Sequence, residues 1–478
     1  MSGPAAAAPP SAQAATSLPA WMRRTAIAAL AYTAFFAFAD FDLYLRPELG
    51  AGLLLLLMCM AGARPWRELR RQPAVWALAA LIVYAIAQSL YAGLRVMPAL
   101  PLSEHLTDTA KLVRLAVFTA VVGWWLSVLP RTLPMLLALM GLGLAASILT
   151  YLPWTQLPAL WSGALRPEFG VTENLTGLLA AVGGWIALWL AMTAWSARQA
   201  GALRLTLAAL AYAVCFCVLL FSQSRGAWLA FALVVPAAVL AYAWNHRRAG
   251  PLPWLPVLAA ASLSVLLLWS ARDLVASRFA GSQTLAAEAQ QAAVQGSVAI
   301  APSAPAAASA GAEATTAPSD AAQAQQTQVN NKAVGVRMAL YRLGVEQWLQ
   351  RPLLGWGLRS TPELIAQSRR DMAGQHHVHL HNTYLDALVG LGAVGVALLA
   401  LALLALLREP WRAWRQGRMP VPAFWALAGC VGLVLITNNF DSLLWRFEYG
   451  RAPLEFLFGL CLAYGLIRRR AAVGRDGA

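Results

Sequence analysis

Twelve stretches of this chain are long and apolar enough to suggest helices that cross a lipid bilayer: 24–43, 49–63, 74–94, 111–129, 132–152, 173–194, 203–222, 226–244, 253–271, 383–407, 421–438 and 452–467. A spanning helix needs about 20 mainly apolar residues, so the second stretch reads as tilted or partly interfacial. Of 478 residues, 59% are hydrophobic and 12% charged, and the mean hydropathy is +0.58. A soluble domain carries about 25% charged residues. Inside hydrocarbon every backbone N–H and C=O must be paired within the structure, and helices of this length do that. The expected fold is an all-α polytopic membrane protein with about 12 transmembrane helices.

The formal net charge of +15 could suggest nucleic acid, but its distribution excludes that reading. With the N-terminus cytoplasmic, the inner loops and tails hold 19 Lys/Arg against three acids, Glu68, Glu409 and Asp476. The other side holds 17 Lys/Arg against 18 acids. The basic clusters Arg64/Arg67/Arg70/Arg71, Arg408/Arg412/Arg415/Arg418 and Arg468/Arg469/Arg470 all fall inside. Such asymmetry orients membrane proteins. Both termini are then expected in the cytoplasm of a bacterium, with the protein in its inner membrane. Residues 1–20 lack the apolar core of a signal peptide and read as a disordered cytoplasmic tail. Cys59, Cys215, Cys217, Cys430 and Cys461 all lie in apolar stretches, with no disulfide or zinc spacing.

The organisation expected is helices 1–9 over 21–271, one large periplasmic loop over 272–382, helices 10–12 over 383–467 and a cytoplasmic tail over 468–478. Within the loop, 281–330 is almost entirely Ala, Gln, Ser, Thr, Pro and Gly and reads as a disordered insertion. Residues 331–382 read as helical and site-bearing. An amphipathic helix runs from Asn331 through Trp348, breaks at Pro352 and Gly355, and is followed by a helical piece from Thr361 to Arg370. Trp348 and Trp356 are assigned to packing within the loop.

Four of the six histidines fall in His376-His377-Val378-His379-Leu380-His381, just before the tenth apolar stretch. Histidine alone changes charge near neutral pH without perturbation. Asn382 or Thr383 is a plausible N-cap, which puts His381 at the positive end of a helix, where its ring stays neutral as a general base requires. An extended segment would put His379 and His381 on one side. Asp386 is too far round the helix to be an assured partner. A metal site for zinc or nickel, or a wet loop without a role, are the other readings. If one histidine is catalytic it is His381, with His379 next.

Arg225, Arg337, Lys111, Arg114 and Arg166 lie at outer helix ends or in outer loops. Arginine suits bidentate phosphate contact, so converging arginines would suit a pyrophosphate. Headgroup snorkelling is the alternative. Asp40 and Asp42, at the outer end of the first helix, read as interfacial residues or as ligands for Mg²⁺ or Mn²⁺. Asp441 reads as a partner for an active-site arginine or as a loop anchor.

Four stretches, in this order, resemble the bacterial O-antigen ligase family, which also includes O-antigen polymerases and protein O-oligosaccharyltransferases. They are Arg166-Pro167-Glu168-Phe169-Gly170 with Glu173-Asn174, then Ser224-Arg225-Gly226. Next comes Arg337 to Tyr341, leading into Pro352-Leu353-Leu354-Gly355-Trp356-Gly357. The last is His379-Leu380-His381-Asn382-Thr383-Tyr384-Leu385, with Gly392 and Gly395 behind it. The likeness covers roughly residues 160–400. The insertion at 281–330 and the extra His376 and His377 depart from the pattern, and the extra histidines leave the identity of the base open.

The resemblance implies a GT-C-like glycosyltransferase. Its donor is a glycan on undecaprenyl pyrophosphate and its acceptor a sugar hydroxyl of lipid A–core. Transfer is inverting, with a histidine base and with arginines (Arg225, Arg337 and Arg166, and Lys111 and Arg114 among the other cations) on the pyrophosphate. Asn382, Asp441 and Asn174 support the site. No metal or other cofactor, and no nucleic acid, is implied. A polymerase would use a second lipid-linked glycan as acceptor. A protein transferase would use Ser or Thr, and the short stretch after the twelfth helix disfavours it. A flippase or transporter would show inverted repeats and broken midplane helices, which the sequence lacks.

Overall fold

The computed structural model describes residues 18–39, 47–167, 169–197, 201–247, 254–276, 278, 335–368, 377–443 and 451–476. Residues 1–17, the Asp40/Asp42 pair, Glu168, the whole 281–330 insertion with its flanks over 279–334, and His376 lie outside this set.

The described residues form helices and no strand. In order these are α1 (Ala20–Phe36), α2 (Pro47–Met60), α3 (Ala63–Leu69), α4 (Pro73–Tyr91), α5 (Leu102–Val128), α6 (Leu133–Tyr151), α7 (Leu157–Trp161), α8 (Glu173–Ser196), α9 (Ala202–Phe221), α10 (Arg225–His246), α11 (Trp254–Ser270), α12 (335–350), α13 (Ser360–Gln367), α14 (Thr383–Arg415), α15 (Val421–Thr437) and α16 (Arg451–Asp476). Among the described residues a helix occupies most of each of the twelve apolar stretches. Seven helices among the described residues are long and apolar enough to span a membrane, and eight if α2 and α3 count as one span. The chain is a multi-pass membrane protein.

Two expected spans differ in form. The short second one bends by 104° between α2 and α3. The last does not stop near residue 467 but continues to Asp476. Its basic turn is held there because Arg468 pairs with Glu409 at 2.7 Å and Arg470 with Glu68 at 2.5 Å. The core between helices is apolar, and the fully buried Trp125 and Trp185 have their indole N–H groups matched. Trp125 donates to the Leu54 carbonyl at 2.9 Å and Trp185 to the Ala426 carbonyl at 2.9 Å, as buried indoles require.

The break expected at Pro352 and Gly355 does more than end α12. α14 is kinked at Gly392, where φ is +66°. The 352–357 turn fills the gap. Trp356 N donates to Val389 O at 2.8 Å and Gly357 N to Gly390 O at 2.9 Å, while Ala393 N donates to Pro352 O at 2.8 Å. Gly355 also has positive φ, and a Cβ there would lie 2.6 Å from Gly392 N. Only glycine allows both the left-handed backbone and this approach.

A polar site where three segments meet

α14 starts where its sequence suggests. The Asn382 side chain accepts from Tyr384 N and Leu385 N, both at 3.0 Å, satisfying two donors that a helix start leaves unpaired. His381 precedes this cap in a left-handed conformation, φ +54°, so the segment is not extended there. The rings of His379 and His381 nevertheless meet, with centroids 4.2 Å apart.

What brings them together is Asp441, from the turn after α15. His379 Nε2 lies 3.1 Å from Asp441 Oδ1, and His381 Nδ1 lies 3.3 Å from the same oxygen. The second contact lacks the alignment of a full hydrogen bond. His379 is 9% exposed, His381 17% and Asp441 2%. Burial disfavours the Asp441 carboxylate, but the two histidines outweigh it and hold the group well below the usual range. Asp441 therefore pairs with histidines, not with an arginine.

Asp386 is not a histidine partner either. It accepts from Leu380 N at 3.2 Å and from the Ser442 hydroxyl. Thr383 Oγ1 donates to Asn438 Oδ1 at 2.6 Å. Together these bonds clamp the histidine segment to the 438–442 turn. Tyr341 adds a third contact from α12, donating to His381 O at 3.1 Å.

The far side of Asp441 faces a cavity of about 90 Å³. Asn174 Nδ2 donates to Asp441 Oδ2 at 2.8 Å, and Arg166 Nη2 donates to Asn174 Oδ1 at 3.1 Å. Arg166, Arg225, Arg278 and Arg337 all line the cavity. Arg166 also pairs with Glu173 at 3.3 Å. Arg225 and Arg337 have no carboxylate partner among the described residues. Arg278 is pushed down to about 10, first by burial and then by the Arg166 and Arg225 charges. It stays a cation at neutral pH.

Ser224-Arg225-Gly226 now has a reason for each residue. Ser224 caps α10 by accepting from Ala227 N, Arg225 faces the cavity, and a Cβ on Gly226 would lie 2.5 Å from Phe440 Cβ. Glycine there lets the turn bearing Asp441 sit against α10.

The structure thus brings together His379, His381, Asp441, Asn174, Arg166, Arg225 and Arg337, with Asn382 capping. It does not bring Lys111 and Arg114 to the cavity. Lys111 pairs with Asp108 at 2.8 Å and Arg114 with Glu48 at 2.8 Å, so both charges are spent locally. Arg278 escaped the sequence reading. It stands past the end of the ninth apolar stretch with no motif around it.

His379, His381 and Asp441 also form the one group of three such side chains among the described residues with donors close enough to share an ion. Fold and site together define a multi-pass membrane protein with a cationic, histidine-flanked cavity at one end of its helix bundle. Residues 210–400 match the family described as O-antigen ligase. The match takes in α10, α12, the 352–357 turn and the histidine segment. No curated protein matches the chain.

Proposed function

We propose that this protein is an O-antigen ligase acting at the periplasmic face of a bacterial inner membrane, with both termini in the cytoplasm. It transfers a glycan from undecaprenyl pyrophosphate to a sugar hydroxyl of lipid A–core. The observation that carries this reading is that the arginine-lined cavity and the histidine pair share one carboxylate, Asp441.

The donor's pyrophosphate sits among Arg166, Arg225, Arg278 and Arg337. Arg225 and Arg337, without carboxylate partners among the described residues, are the groups with most to gain from an anion. His381 is the base. Its Nδ1 faces ionised Asp441, which leaves Nε2 to accept a proton, the division of labour of a His–Asp pair. The acceptor hydroxyl gives its proton to Nε2 as its oxygen attacks the anomeric carbon. The bond from that carbon to the pyrophosphate oxygen breaks, and the charge growing there meets the arginines. A single displacement inverts the anomeric carbon. No metal takes part, and the lipid pyrophosphate is already a leaving group, so no nucleotide site is required. A polymerase, which would extend a second lipid-linked glycan, is the alternative within the family.

The test is reconstitution of purified protein with undecaprenyl-pyrophosphate glycan and lipid A–core in EDTA, comparing wild type with His381→Ala, His379→Ala and Arg225→Ala. Glycan-bearing core lipid made by wild type and lost in folded His381→Ala is the expected result. Loss only in His379→Ala moves the base to His379. Lengthened lipid-linked glycan with core lipid untouched makes the protein a polymerase.

A further inference from the structure

The atoms that surround the base are also spaced as ligands. His379 Nε2 and His381 Nδ1 stand 3.1 and 3.3 Å from Asp441 Oδ1, and all three donors fall within 4.8 Å of one another. Zinc binds imidazole nitrogen and carboxylate oxygen at about 2.0–2.1 Å with tetrahedral geometry, which separates neighbouring donors by roughly 3.3–3.4 Å. His381 Nδ1 makes no fully aligned hydrogen bond, so ligation there replaces only its loose contact with Asp441. The scaffold is already built. Asp441 is held by Asn174 Nδ2 and by Ser442 N at 2.8 Å, the kind of outer support that fixes metal ligands.

We propose that His379 Nε2, His381 Nδ1 and Asp441 Oδ1 form an inhibitory site for a divalent transition-metal ion of the Zn²⁺ type. Two imidazoles and one carboxylate favour such an ion over Mg²⁺, which prefers oxygen donors and keeps its waters. Three protein ligands leave a fourth position open to water. The switch is a tautomer. A neutral imidazole carries its proton on one nitrogen only. Coordination through Nδ1 places that proton on Nε2, and the lone pair that would accept the acceptor hydroxyl's proton is gone. Inhibition rests on the transfer reading above; ion binding does not.

The experiment titrates the purified full-length protein, free of any histidine tag, with Co²⁺ and reads its visible absorption, followed by displacement with Zn²⁺. Wild type takes up one ion per chain. His381→Ala, His379→Ala and Asp441→Asn each weaken binding by at least about 100-fold, more than losing an outer partner costs. The thermal midpoint of wild type rises with Zn²⁺, and that of the three variants does not; this readout also shows whether each variant is folded. In the transfer assay Zn²⁺ inhibits, EDTA restores activity and Mg²⁺ does nothing. Ion uptake that survives all three substitutions, or no uptake by wild type, overturns the site. If Co²⁺ binds as expected but wild type transfers no glycan, the site stands and the functional reading falls. If Co²⁺ binds but transfer runs undiminished, the inhibitory role is overturned.

Discussion

Both ends of the helix bundle hold carboxylates and arginines, and the two ends pair them differently. At the end away from the cavity each buried carboxylate is saturated. Glu409 takes Arg468, and Glu68 takes Arg64, Arg470 and the Trp124 indole. Around the cavity, half-buried arginines face one another instead. Among the described residues Arg225 and Arg337 stand without a carboxylate, and the buried Asp441 goes to histidines and an asparagine. Cations held near one another without counter-charge repel, and on the proposed function the donor's pyrophosphate supplies the missing charge. In that reading the saturated pairs secure the bundle, and the unsaturated cations bind.

The contrast can be broken at either end. The largest effect is expected from His381→Ala, which should lower transfer by about 10²–10⁴-fold, the usual worth of a general base, in a protein whose thermal unfolding is unchanged. Arg225→Ala should cost about 10²–10³-fold in transfer, the scale of a lost charge-stabilising donor. Its stability should hold or rise, because one repelling cation is gone. A drop in thermal midpoint would mean that Arg225 is structural and would erase the contrast. At the other end, Arg468→Ala should cost about 3 kcal/mol, since it strands the buried Glu409 charge. Turnover per folded molecule should remain near wild type, as read by denaturation alongside the transfer assay. Asn382→Ala should cost about 1 kcal/mol through the lost cap. Lys111→Ala, which touches neither end's network, should stay within about 0.5 kcal/mol and leave transfer intact. A large loss of transfer there would return Lys111 to the site.

The apolar stretches, the Asn382 cap and the Ser224-Arg225-Gly226 corner were legible because each is local: a run, a cap, a tight approach one residue from the charge. The convergence was less so. His381 and Asp441 are 60 positions apart, and nothing near Asp441 marks it as a histidine partner. Arg114 looks like Arg225 in sequence, yet Glu48, from another helix, neutralises it. Arg278 carries no motif. Charge pairing is settled by the fold, so a sequence can nominate cations without sorting the spent from the available.

The kink at Gly392 has a mechanical consequence. The segment of α14 before it, which the histidines immediately precede, is bonded through Val389 and Gly390 to the 352–357 turn. The segment after it runs on through apolar residues to Arg415. A long apolar helix answers a thicker or thinner bilayer by tilting. Here a break stands between the part that must tilt and the part that must hold the histidines against Asp441. Changes in lipid thickness can be absorbed below Gly392, and the chemistry above it keeps its register.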